Sequence, residues 1–245
     1  MKAKLLALLS TAVLVVACGD GTGPGGPTQV SLSFSTAASG PMLSVMAADT
    51  MTDGQNQLVL SSVEVVLREI ELERIDIADC DVEPEPAGCE KFETAPMVVE
   101  LPLGGTTQTG ITIDIAAGTY DELEFDIHKV SNGDPEDAAF RAAHPDLIDT
   151  SIRVRGEYNG VAFTYVTDLM DEQKYNLIPS LVINEGTTST NVTLHLDVAS
   201  WFEDGAGTLV DPASANKGEA NENLVTDNIR TSIDVFEDSD RDGRR

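Results

Sequence analysis

Ile152-Arg153-Val154-Arg155-Gly156-Glu157-Tyr158-Asn159-Gly160-Val161-Ala162-Phe163-Thr164-Tyr165-Val166-Thr167 decides the fold class. Two alternating stretches flank an Asn-Gly pair, and in the second Val161, Phe163 and Tyr165 share one face. A two-residue type I′ turn needs positive φ at both central positions, which Asn and Gly supply, so the segment reads as a β-hairpin. Its period of two gives each strand one apolar face, and that face must be covered by a second layer.

The same alternation recurs along the chain on both sides of this hairpin. Val30, Leu32 and Phe34 alternate with Ser31, Ser33 and Ser35; Val63, Val65 and Leu67 alternate with Glu64 and Arg68; Ile70, Leu72, Ile75 and Ile77 follow after a change of phase near Arg74. Further runs lie at Val98–Leu103, Ile111–Ile115, Leu123–Val130, Leu177–Ile183 and Val192–Val198. Many short half-polar strands predict an all-β, antiparallel β-sandwich over residues 28–201. A short inserted helix is expected after Asp134-Pro135-Glu136-Asp137, with Asp134 as N-cap and Pro135 at the first helical position. It ends near Ala143, and His144 caps it before Pro145. In a C-terminal extension, residues 202–245, Leu224, Val225, Asn228, Ile229, Ser232, Ile233 and Phe236 fall at helical spacing. They predict an amphipathic helix over Asn223–Phe236, followed by a solvated acidic tail.

Residues 1–17 have the form of an export signal: Lys2 and Lys4, then an apolar run from Leu5 to Val16 that is too short to span a bilayer. Val15-Val16-Ala17-Cys18 resembles the lipobox of bacterial lipoproteins, which makes Cys18 the expected site of lipidation and of membrane attachment. Each buried acyl methylene contributes roughly 0.8 kcal/mol, so two or three chains hold a protein on a membrane without a transmembrane helix. Residues 18–27 are rich in Gly and Pro and read as a tether. Gly21, Gly23 and Gly26 match a dinucleotide-loop spacing, but no strand precedes them and Pro24 and Pro27 interrupt them. Gly19 in place of Asp after the cysteine points, by the enterobacterial sorting rule, to the outer membrane of the cell envelope.

With Cys18 lipidated, Cys80 and Cys89 remain as an even pair around an acidic, Pro-containing loop, and in an oxidising periplasm they are expected to form a disulfide. Closing so short a loop is worth roughly 2 to 3 kcal/mol. The formal net charge is −27, from 15 Lys+Arg and 42 Asp+Glu, and it grows more negative once Lys2 and Lys4 are removed. Such a surface repels nucleic acid and anionic lipid headgroups, so neither is an expected partner. An apolar fraction of 41% is enough for a real core and argues against a disordered chain.

Met97-Val98-Val99-Glu100-Leu101-Pro102-Leu103-Gly104-Gly105, Ala117-Gly118-Thr119-Tyr120-Asp121-Glu122-Leu123-Glu124-Phe125 and Leu194-His195-Leu196-Asp197-Val198 resemble, in order and spacing, a family of uncharacterised bacterial lipoproteins with a domain of unknown function. The resemblance covers roughly residues 28 to 200. It implies a β-sandwich at the cell envelope and supplies no catalytic residue.

Three groups of residues are candidates for chemistry. Asp238, Asp240, Asp242 and Gly243 read as the first half of a calcium loop, in which alternate carboxylates converge on a hard cation. The bidentate glutamate of a full loop would fall beyond Arg245. Glu124, Asp126 and His128 on one strand and His195 and Asp197 on another would hold Zn²⁺ or Cu²⁺ if the two strands were neighbours. Tyr158, Phe163, Tyr165 and Trp201 could line a glycan or peptide groove. No G-x-S-x-G, H-E-x-x-H or phosphate-binding loop is present. The expectation is therefore a non-enzymatic, lipid-anchored binding or structural module with no cofactor except a possible Ca²⁺. A calcium-stabilised adhesion module and a hydrolase of envelope polymers are the alternatives.

Overall fold

The computed structural model describes residues 28–36, 50–76, 82, 84 and 89–245. Among the described residues twelve strands run in order: β1 (Thr28–Ser35), β2 (Thr50–Thr52), β3 (Gln57–Arg74), β4 (Cys89–Glu93), β5 (Met97–Glu100), β6 (Thr107–Ile115), β7 (Gly118–Ile127), β8 (Ile152–Tyr158), β9 (Val161–Thr167), β10 (Asp171–Ile183), β11 (Ser189–Leu196) and β12 (Ile233–Glu237). Two short helices, α1 (Ala138–Ala143) and α2 (Glu222–Thr231), interrupt them. The expected all-β sandwich is what forms, as one sheet of four strands, ordered β12-β11-β1-β6, and one of eight.

The decisive hairpin is present: Tyr158 pairs with Val161, and Asn159 (φ 52) and Gly160 (φ 75) form the turn between them. Strand β3 organises the larger sheet. It pairs with β8 along its first half and β7 along its second, and it also carries β2, β4 and β5. The phase change expected near Arg74 coincides with a shift in the β3–β7 register between Glu73 and Arg74, and a second shift, between Arg68 and Glu71, lies at Glu69, whose φ is 52. One pairing departs from the antiparallel plan: β1 and β11 run parallel.

Inward side chains of both sheets meet in a single core, in which Val30, Leu32 and Phe34 of β1 and Val192, Leu194 and Leu196 of β11 join Leu58, Leu60, Val63 and Val65 of β3. Val66, on the opposite face of β3, starts a smaller cluster with Val130, Phe140 and Leu147 beneath α1. That helix starts at Ala138, later than the Asp134-Pro135 signal: Asp134 Oδ1 accepts from the Glu136 amide (2.9 Å) in a turn that precedes it, and the N-cap residue is Asp137, whose carboxylate goes to His128 and the Ser131 amide and makes no cap bond. His144 caps its end, as its position before Pro145 indicates.

The helix expected over Asn223–Phe236 is shorter than its spacing suggested. It stops at Thr231, and Ile233–Glu237 is the strand β12, paired antiparallel with β11. Apolar residues at Ile233, Val235 and Phe236 satisfy a helical and a strand template alike over so short a window. Here Ile233 and Val235 gain the core by alternation. Residues 202–245 thus supply a strand of the four-stranded sheet. Among the described residues no helix is long and apolar enough to cross a membrane.

Candidate functional site

The outer face of the four-stranded sheet gathers the most unusual chemistry. Because β1 and β11 are parallel and in register, Ser31 stands beside Asn191, Ser33 beside Thr193 and Ser35 beside His195. All six are the outward residues of alternating strands, so water should reach them, yet none is more than 5% exposed. Their hydrogen bonds run laterally. Ser33 Oγ donates to Asn191 Oδ1 (2.7 Å), Asn191 Nδ2 donates to Thr193 Oγ1 (3.0 Å), and Ser31 and Ser33 reach Thr112 and Thr109 of β6. Ser35 Oγ lies 3.0 Å from His195 Nδ1. Burying six polar side chains is tolerable only because they satisfy one another.

What covers this face is the segment expected to be a solvated tail. After β12 the chain turns and runs back over the sheet. Asp238 N–H donates to Asn191 O, the Arg241 guanidinium reaches Ser31 Oγ (3.2 Å), Gly243 sits on Ser35 and Thr107, and Arg245 pairs with Asp234 (3.4 Å). Gly243 has φ of 74, and a Cβ there would overlap Thr107 Oγ1, so both the conformation and the close approach call for glycine. Asp238 is the anchor. Its Oδ2 accepts from Thr193 Oγ1 (2.7 Å) and Gly243 N (3.0 Å), and its Oδ1 accepts from Asp242 N (3.1 Å).

The three aspartates of the proposed calcium loop are brought together, with carboxylate oxygens of Asp238, Asp240 and Asp242 within 4.8 Å of one another. Asp240 and Asp242 are exposed, whereas Asp238 is buried. The residues fit the first half of a calcium loop in donor type and spacing, and the structure has Asp238 already serving three protein donors.

The Zn²⁺ or Cu²⁺ set is not brought together. β7 and β11 belong to different sheets. His128 Nε2 is 2.7 Å from Asp137 Oδ1, Asp126 pairs with Arg68 (3.1 Å), Glu124 with Lys174 (2.8 Å), and His195 with Ser35. Alternation had placed these side chains on outer faces correctly but carried no information on which sheet each strand joins.

A second acidic group went unforeseen. Glu71, Glu73 and Glu124, all buried, hold carboxylate oxygens within 4.8 Å of one another. Register explains it: Lys91 of β4, Glu71 of β3, Glu124 of β7 and Lys174 of β10 form one row across the sheet, a lysine at each end and two acids between. Lys91 lies 3.5 Å from Glu71. Arg153, also nearly buried, makes a two-pronged contact with Glu64 (2.6 and 2.7 Å) and a further one with Asp146 (2.7 Å). These bonds hold the Glu64 carboxyl below its usual range.

Burial lowers the imidazole of His195, against the opposing pull of Asp197 and Asp234. Glu203 is raised, first by burial and then by Asp197 and Asp204. Of the aromatic candidates, Trp201 and Tyr165 are wholly buried, the Trp201 indole donating to Ser232 Oγ (2.7 Å), so the core takes both. Tyr158 and Phe163 are half-buried. A small cleft of about 270 Å³ opens between Ser61, Ser62, Glu100, Leu101 and Gln108, and Glu100 is its single carboxylate. Cys89 is disulfide-bonded; Cys80 and Cys18, on which the pairing and the lipid attachment turn, lie outside the described residues.

No family model matches the chain, and no curated protein matches it in sequence. Among solved structures it is similar to MbnP from Methylosinus trichosporium, at 10% identity and a TM-score of 0.39, over 86% of this chain and 98% of that one.

Proposed function

We propose that the chain is a non-catalytic module of a bacterial cell envelope: a β-sandwich tethered to the membrane through lipid on Cys18 and acting in binding or envelope structure. The observation that supports this reading over a hydrolase is where the carboxylates are spent. Glu64 and Asp146 serve Arg153, Asp168 serves Lys217 and Lys129, and Asp53 and Asp204 accept backbone amides, each with its ionisation shifted down. The cleft offers one acid where glycoside hydrolysis uses two. Attachment is tested by detergent-phase partitioning of the full chain expressed in a lipoprotein-processing bacterium. The unaltered protein should follow the membrane fraction and Cys18→Ser the aqueous one; equal partitioning of the two would refute the anchor.

The second reading, a calcium-stabilised module, is favoured by the convergence of Asp238, Asp240 and Asp242. Calcium at millimolar concentration should then raise the melting temperature, and Asp240→Asn with Asp242→Asn should remove the rise. An identical melting temperature with and without calcium would sink it.

A further inference from the structure

We propose that Asp238–Arg245 is a pH-sensitive strap, closed over the four-stranded sheet while His195 is neutral and released when His195 takes up a proton.

The geometry places His195 under the strap. Its Nδ1 is 3.0 Å from Ser35 Oγ, and the Ser35 hydroxyl donates onward to the carbonyl of Gly243 (3.5 Å). With its hydrogen pointed at Gly243, Ser35 Oγ accepts from Nδ1–H, which leaves Nε2 as a bare lone pair. That Nε2 is enclosed and has no hydrogen-bond partner, and the residue is 5% exposed. In the cation both ring nitrogens carry hydrogen, whichever carried it before, and the Nε2–H has no acceptor within the closed structure.

The charged groups around the ring come from three elements. Asp234, directly opposite on β12, is held by Arg245 at the end of the strap; Asp197 follows on the ring's own chain; and Asp238, two residues along the face, is fixed on Thr193. β1 presents the uncharged Ser35. A cation formed here is attracted by Asp197 and Asp234 but is cut off from water. Lifting the strap removes Gly243 from Ser35, frees Asp234 from Arg245 and admits water to Nε2. Protonation therefore favours the open state by linkage, and the lowering of the His195 pKa by burial is the same coupling seen from the closed side. An exported protein meets the pH of its surroundings directly, so such a strap would expose the Ser/Thr/Asn face in mild acid.

The test is amide hydrogen exchange of Gly243 and Arg241 in the full chain, corrected for the intrinsic pH dependence, with a chelator present so that calcium plays no part. Between about pH 7.5 and about pH 5, protection should fall, approaching tenfold for each unit below the ordinary imidazole value of 6.5 and levelling off once the closed imidazole itself titrates. His195→Asn, which cannot take a proton, should hold its protection within about twofold over the same range, with Trp201 fluorescence confirming an intact core. His195→Gln serves identically if the Asn variant does not fold. Flat protection in the unaltered protein, or an equal fall in the neutral variants, would overturn the proposal. Because no calcium is present, neither result depends on the metal reading.

Discussion

Asp238 is 2% exposed and receives three donors, from Thr193, Asp242 and Gly243. A buried carboxylate so placed is a structural acceptor whatever else it does. Asp238→Ala strands the Thr193 hydroxyl and two amides, and hydrogen bonds to a charged group are worth roughly 1.5–3 kcal/mol each, less the relief of burying no charge. We expect a loss of about 2–4 kcal/mol in urea unfolding, and about half of that for Asp238→Asn, which keeps one acceptor oxygen. A loss below about 0.5 kcal/mol for the alanine variant would mean that the strap does not stabilise the fold. Gly243→Ala should cost about 1–2 kcal/mol through its φ of 74 and its contact with Thr107. At this scale the sequence was half legible. D-x-D-x-D-G announced convergent carboxylates, and they converge. That the first aspartate is buried could have been suspected from the outward Ser31, Ser33 and Ser35, hydroxyls too small to reach far into water and well suited to lie beneath another segment.

Elements were legible in proportion to their length and to the strength of their turns. The Asn159-Gly160 hairpin came through because a turn type and a period agreed. The stretch after Thr231 did not, because five residues cannot distinguish a period of 3.6 from one of 2, and the deciding fact, a vacant edge beside β11, is tertiary. Edge protection was likewise invisible. On the outer side of β9 the Asn216 side chain imitates a neighbouring strand: its Oδ1 accepts from Val166 N (2.9 Å) and its Nδ2 donates to Thr164 O (3.4 Å). Asn216→Ala should speed exchange of the Val166 amide at least about tenfold, while changing global stability by about 1 kcal/mol or less. If the Val166 rate is unaltered, the clamp does not protect the edge in solution.

For the whole molecule, the charge of −27 and the individual ion pairs pull the pH dependence of stability in opposite directions. Removing negative charge by acidification relieves repulsion, which alone would raise stability as pH falls. The site shifts say otherwise. Glu64 and Asp168 titrate below their usual values because arginine and lysine partners hold them ionised. A depressed carboxyl contributes stability above its unfolded pKa and loses that contribution as pH falls through the folded value. His195 is a depressed base: the fold prefers it neutral, so its contribution is complete above the ordinary 6.5 and is withdrawn as pH drops below that. Both kinds of group therefore weaken the fold on acidification, at separate points. The melting temperature should be level above about pH 7, decline modestly between about pH 6.5 and 5, and decline steeply below about pH 4. His195→Asn should erase the first step alone. Glu64→Gln should lower the plateau, by leaving Arg153 with Asp146 as its remaining ionic partner, and should shrink the second step. Added salt at pH 7 separates the diffuse term from the paired one, since repulsion between exposed carboxylates is screened and the nearly buried Arg153–Glu64 contact is screened much less. A melting temperature that rises from pH 7 to pH 5 at low salt would show that the diffuse repulsion outweighs every specific contact named above.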